Sequence, residues 1–514
     1  MNVIDRVKSW FKKGGYALTG QVLKTINDHP KINIDPAELA RIESSLSHYQ
    51  YKYAPVEYVN SNGHKKKRKY MAVNMKKKTA KRMATLTFNE NCQISVSDET
   101  EESKTNSFAN ADEFVQHVFN HNKFKKNLRE YLEPMYALGG LAIRPYFNPE
   151  SNEIEFSWAI ANAFYPLRSN SSGISEGVMI FKTVEIQRGD EVYYTLFEFH
   201  EWEGETYVIT NELYKSDSQS EIGRRVPLEE AYEGMEEMTT ITGLTQTNFQ
   251  YLKPAGFNNI NPHSPLGLGI TDNSESTIQK INEASDQYWW EIKMGQRTVF
   301  VSDYMLNTLP SEDGTPPEQV FDPDVNVYKK MQMANGDQEL IKDVTRDIRT
   351  EQYIAAINSQ LRELEDDLGL SVGTFSFDGK SVKTATEVSS ENSLTYQTRN
   401  DYVNDLERFI KGLVISVLEL ARFSGLYTGE IPTFEEIGVD FDDGIFQNKE
   451  QLLRHYGQAK TFGIIPTVEV IKRVFNLPQD IAEKWLKQIQ EEQLAIEPSE
   501  IADRAARGVF GDEE

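Results

Sequence analysis

Residues 345–368 carry Ile354, Ile357, Leu361, Leu364 and Leu368 at intervals of 3, 4, 3 and 4, the seam of helices packed nearly parallel. A second helix is predicted over 272–296, capped by Asp272 or Ser274, with Ile278, Ile281, Tyr288 and Ile292 along one side. At 1.5 Å per residue each helix runs about 36 Å. Between them stands only a compact, proline-bearing module, 297–343, which opens with the strand TVFVS. The pattern is a stalk with a tip. An isolated stalk cannot bury its apolar seams, so it makes sense only where many copies stand side by side.

The rest of the 514 residues reads as α+β and predominantly α-helical, about three structural units at roughly 150 residues each. The opening VIDRVKSWFKK puts Val3, Ile4, Val7, Trp10 and Phe11 on one helical face, fit for a membrane surface or for burial against the body. Residues 56–73 read as two strands around an Asn-Gly turn, 74–88 and 111–138 as helices, and 139–216 as hairpins and a strand meander. A helix of about forty residues is predicted over 384–424, its stripe running Val403, Leu406, Ile410, Leu413, Val417 and Leu420. Beyond 445 come three short helices broken by Gly463, Pro466 and Pro478.

Net charge is −24, which argues against a protein that coats nucleic acid, because such affinity comes from neutralised phosphates. It leaves open one that lets DNA pass without holding it. From His64 to Leu86 there are ten Lys or Arg and no acid, a run that fits nucleic-acid contact, an import-like signal or simply a solvated face. Cys92 is the sole cysteine, so an internal disulfide and a cysteine-based zinc site are excluded. Charges occupy MNVIDRVKSWFKK where a secretory signal has its apolar core, so none is expected. The most apolar stretch, 409–423, holds Lys411, Glu419 and Arg422 and is too short to span a bilayer.

No pattern reaches the standard of an active site. Gly373 and Gly379-Lys380-Ser381 enclose five residues where a phosphate loop needs four. His117 and His121 share a helix face, but Val118 stands where a zinc protease has Glu. Glu198, Glu201, Glu203 and Glu205 alternate near a hairpin turn and read as an exposed acidic rim. No catalytic residue, metal or cofactor is expected, and the weight moves to a structural or conduit role.

The run SPLGLGITDNSESTIQKINEASDQYWWEIKMGQRTVFVS, the loop GTFSFDG and the segment KTATEVSSENSLTYQTRNDYV resemble the portal proteins of tailed bacteriophages. The nearest type is that of siphophages of Gram-positive hosts. MAVNMKKKTAKRMATLTFNENCQI and FEFHEWEGETYVITNELY add to the likeness, which spans most of 50–425. The resemblance implies a ring, usually of twelve copies, at one capsid vertex of the virion, assembled in the host cytoplasm. It implies a wing (1–270), stem helices (271–296 and 344–369), a clip (297–343), a tunnel loop (370–383), a long wing helix with its connection (384–444) and a crown (445–514). Phe375, Phe377, Asp378, Lys380 and Lys383 would lie on the loop facing the DNA, with Ile354, Ile357, Leu361, Leu364 and Leu368 packing the stem. The partners implied are other copies of the chain, the terminase large subunit, a head–tail adaptor, capsid and scaffolding proteins, and double-stranded DNA in transit. Another head component, or a packaging NTPase resting on the off-register Gly-Lys-Ser, are the alternatives.

Overall fold

The computed structural model describes residues 22–60, 63–96, 109–187, 189–295, 299–302, 328–331, 341–343, 347–376, 393–441, 449–475 and 482–489. The amphipathic face predicted at Val3–Phe11 lies outside them. The described chain mixes helices and strands in two units, 1–441 and 442–514.

In the first unit, β1 (Val22–Leu23) is followed by α1 (Pro36–Tyr49). The Asp35 side chain caps α1 by accepting from the Ala37 N–H, with Pro36 at the first helical position. The predicted hairpin forms as β2 (Val56–Val59) and β3 (Lys65–Arg68), with Gly63 in the left-handed region. Helix α2 (Met75–Thr87) is capped by Asn74, and β4 (Gln93–Val96) follows.

The helix expected over 111–138 is two, α3 (Ala109–His121) and α4 (Phe124–Leu138). Lys123 adopts φ 50° between them, and the Asn122 side chain ties the break to the Val118 and Ile154 carbonyls. Strands β5 (Leu141–Asn148) and β6 (Glu153–Ile160) pair antiparallel. The meander then runs β7 (Phe164–Asn170), β8 (Gly173–Gln187), β9 (Asp190–Glu203), β10 (Thr206–Ser216), β11 (Gly223–Val226) and β12 (Met238–Thr242). With β1 these make a seven-stranded sheet in the order β1-β11-β10-β9-β8-β7, with β12 on the other half of the β10 edge. Residues 194–200 of β9 are all buried, because both faces of this central strand are covered. Past β1 the chain turns onto one face, where His29 stacks on Phe197 and Phe199.

Strand β13 (Gln250–Leu252) completes a three-stranded sheet with β5 and β6. Helices α5 (Glu275–Met294) and α6 (Thr350–Asp367) follow. Between them β14 (Val299–Ser302), β15 (Tyr328–Met331) and β16 (Ile341–Asp343) form a small mixed sheet, with β14 parallel to β15 and antiparallel to β16. Helix α7 (Ser393–Phe423) is buried on every side from Gly412 to Ala421, as a helix without a polar face must be. Strand β17 (Ile437–Asp440) pairs with β4 and closes the unit.

The second unit contains α8 (Lys449–Thr461) and α9 (Thr467–Phe475), packed on each other around a turn at Gly463 with φ 71°. Among the described residues no helix is long and apolar enough to cross a membrane.

Candidate functional site

Helices α5 and α6 run antiparallel, and three sets of side-chain contacts fix their register. Near one end the Thr277 hydroxyl donates to Asp367 at 3.3 Å, and Lys280 meets Glu363 at 3.3 Å. Farther along, the Tyr288 and Tyr353 rings lie 5.3 Å apart. At the far end, Arg349 binds Glu291 at 2.6 Å, and its side-chain and backbone N–H bonds hold that carboxyl at about 2.

Burial is unequal along the pair. Ile278, Ile281, Leu361, Leu364 and Leu368 are buried at the near end, whereas Ile357 is half-buried. Ile354 is 48% exposed and Ile292 41% exposed at the far end. The stripe expected along the whole of both helices is therefore sealed for only half its length within one chain.

The near end is clamped to the rest of the unit by buried charge. Ser274, not Asp272, is the α5 N-cap, and its side chain makes no cap hydrogen bond. Asp272 accepts instead from Arg41 Nη1 at 2.6 Å, Lys76 Nζ at 2.9 Å, Ser45 Oγ at 3.0 Å and the Gly269 N–H at 2.8 Å. Lys76 is 1% exposed, so one member of the basic run is a core cation rather than a solvated one. A second member, Arg68, grips both oxygens of Asp286 at 2.6 Å and stacks 4.6 Å from Trp290. Burial pushes the Asp286 carboxyl up, but Arg68 and the Met71 N–H outweigh it and the net direction is down. Lys65, Lys67 and Lys69 keep to the exposed face of the hairpin.

Where α6 ends, the chain is held again. Gly369, at φ 63°, donates its N–H to the Asp366 carbonyl and Leu370 donates to the Glu365 carbonyl, the double bond of a Schellman close. The Glu365 side chain, 0% exposed, accepts from the Ser376 N–H at 2.7 Å, the Ser376 hydroxyl at 2.8 Å, the Gly373 N–H at 3.2 Å and the Phe375 N–H. Phe375 itself is half-buried. Phe377, Asp378, Lys380 and Lys383 lie outside the described residues. Reading for apolar periodicity missed Glu365, yet it stands four after Leu361 and three before Leu368, on their own face.

The acidic rim needs correction. Glu198 is 2% exposed and paired with Arg144 from β5 and with His200, whose other ring nitrogen faces the Tyr207 hydroxyl at 3.0 Å. Burial pushes this carboxyl up, but Arg144 and His200 outweigh it and hold it at about 2. A strand covered on both faces has no solvent edge, so alternation there no longer separates inside from outside. The near-continuous apolar run YYTLFEFH carried that signal. His117 and His121 stack at 6.4 Å, with His117 bonded to Glu153. Among the described residues no group of His, Cys, Asp or Glu is arranged to hold a metal.

Two of the solved structures similar to the chain come from gene transfer agent particles. One is described as "Neck of empty GTA particle computed with C6 symmetry": 11% identity, 77% of this chain and 89% of that chain covered, TM-score 0.39. The other, "Virion of native gene transfer agent (GTA) particle", has 10% identity, covers 93% of this chain and 99% of that chain, and has a TM-score of 0.37. No curated protein matches. A family model described as "Phage portal protein, SPP1 Gp6-like" matches residues 28–495. The chain belongs to the phage portal protein family. Its function is that of a portal, a structural component with the role in DNA packaging general to that family. The match takes in the paired helices, the module between them, the segment after α6 and α7.

Proposed function

We propose that the chain closes into a ring, usually of twelve copies, at one capsid vertex of the virion, and that its hole passes double-stranded DNA during packaging and ejection. The observation that carries this reading is the half-sealed helix pair in a portal-family chain: Ile354 and Ile292 are bare in one copy, and adjacent stems in a ring would cover them. In this scheme α5 and α6 are the stem. The module over 297–343 is the clip, which docks the terminase large subunit and later the head–tail adaptor. Residues 1–270 and 384–444 form the wing and its long helix. Residues 445–514 form the crown, and capsid and scaffolding proteins surround the assembly as it is built in the host cytoplasm.

The segment 370–383 is the tunnel loop, placing Phe375, Phe377, Asp378, Lys380 and Lys383 toward the DNA. The surplus of acid suits a conduit, since like charge keeps the duplex from sticking, and Lys380 and Lys383 are local, weak phosphate contacts. The ring itself hydrolyses nothing; the terminase motor supplies the work. Native mass spectrometry with negative-stain images tests the ring, which is expected as a closed assembly with a central hole. Deleting 377–383 should leave ring mass unchanged while packaged DNA falls. Loss of the ring on that deletion would overturn the division between stem and loop.

A further inference from the structure

The root of the proposed tunnel loop is held by one buried side chain. Glu365 presents two oxygens to four donors lying eight to eleven residues on: the N–H groups of Gly373, Phe375 and Ser376, and the Ser376 hydroxyl. Its own backbone carbonyl accepts from Leu370. One residue thus binds the returning chain through both its backbone and its side chain.

Gly373 takes φ 93°, a conformation that turns its N–H toward the carboxylate and favours glycine. From the other side, the Ser371 N–H donates to Thr395 Oγ1 at 2.8 Å and Thr398 Oγ1 donates to the Gly369 carbonyl at 2.7 Å. A Cβ at Gly369 would stand 2.5 Å from Thr398 Oγ1. Arg399, one residue on, donates to the Leu86 carbonyl at the end of α2. The end of α6, the segment 369–376 and the first turns of α7 therefore form one hydrogen-bonded block.

We propose that Glu365 is a positioning residue for the channel: its carboxylate clamps 373–376 onto the stem, so the stem sets where the chain departs toward 377. The proposal rests on the reading of 370–383 as the tunnel loop. A carboxylate fits because both oxygens receive backbone N–H groups: Oε1 takes those of Phe375 and Ser376, and Oε2 takes that of Gly373, which Ser376 Oγ also accepts at 3.1 Å. Glutamine keeps the size but replaces one accepting oxygen with an NH2 that faces N–H groups.

The test uses the assembled full-length protein and particles built from it. Residue-level amide exchange is compared between the native chain and Glu365→Gln, with Glu365→Asp as a second variant that keeps a carboxylate. Glu365→Gln is expected to speed exchange by about tenfold at the amides its NH2 comes to face, Gly373 or the Phe375–Ser376 pair, without changing ring mass or the protection of 277–282, and to lower packaged DNA. Unchanged exchange at those amides overturns the clamp. Faster exchange with normal packaging overturns the positioning role where deletion of 377–383 does cut packaging. If that deletion leaves packaging intact, the tunnel-loop reading fails and with it the positioning role, while the clamp is still judged by exchange alone. Should Glu365→Gln not fold, Glu365→Asp decides: with the carboxylate one methylene shorter, exchange at Gly373, Phe375 and Ser376 rises about threefold, or the proposal falls.

Discussion

The two ends of the α5–α6 pair are built on opposite principles. At the end beside α1 and α2, apolar residues are buried within one chain and the start of α5 is bolted down by Asp272, while Arg68 holds Asp286 in the middle of that helix. At the end beside β14–β16, the ties are the exposed Arg349–Glu291 pair and the Tyr288–Tyr353 contact, and Ile354, Ile292 and Met294 are bare. Buried charge fixes direction and register at high cost if disturbed, whereas exposed apolar surface is tolerable only where something else covers it. The near end belongs to the fold of one chain, and the far end is the part that the proposed ring would cover.

Substitutions should separate the two ends in order of size. Asp272→Ala leaves Lys76 and Arg41 facing each other without their shared anion and should cost about 3–5 kcal/mol, read by denaturant unfolding. Leu364→Ala, at a fully buried site, should cost about 2–5 kcal/mol in the same measurement. A smaller cost would mean the near end is less tightly packed than its burial indicates.

Acid sharpens the contrast, because Glu198 in the sheet and Glu291 at the far end both titrate at about 2. A carboxyl depressed on folding contributes stability above its unfolded value, near 4.5, and loses it as pH falls from there toward 2. For buried Glu198 the loss should be on the order of 3 kcal/mol and insensitive to salt. Glu291 is exposed, so Glu291→Gln should have a small effect that fades at high salt. Acid titrations at low and high salt check both.

The smallest effect on folding is expected at Ile354. Ile354→Ala should change the stability of the unassembled chain by no more than about 0.5 kcal/mol, yet reduce the yield of rings by native mass spectrometry. An equal effect at Leu364 and Ile354 on folding would erase the distinction between the ends.

The elements of this comparison were legible in the sequence to different depths. Spacing of 3 and 4 exposed both helices and their interval, and the long stripe of α7 likewise, because apolar periodicity reports burial wherever one face is covered. It could not say that the same stripe is sealed at Leu364 and open at Ile354, since spacing marks a face without saying what packs on it. The polar residues were the harder part. Glu365, Glu198, Asp272 and Lys76 look like ordinary surface charges, yet the side chains of all four are buried, three of them by partners distant in the sequence: Arg144 for Glu198, and Ser45 and Arg41 around Asp272 and Lys76. Glu365 alone had a local signal, its place on the Leu361–Leu368 face.

The most direct test of the account uses chemistry the chain already permits. Cys92, the sole cysteine, is buried and its thiol is pushed up to about 12 by that burial, so it is a poor target for maleimide. In an Ile354→Cys variant the label reports on the far end alone. The account predicts rapid labelling of the unassembled chain and protection of the introduced thiol in purified rings. Equal labelling in both states would contradict the claim that the open end of the helix pair is where the copies meet.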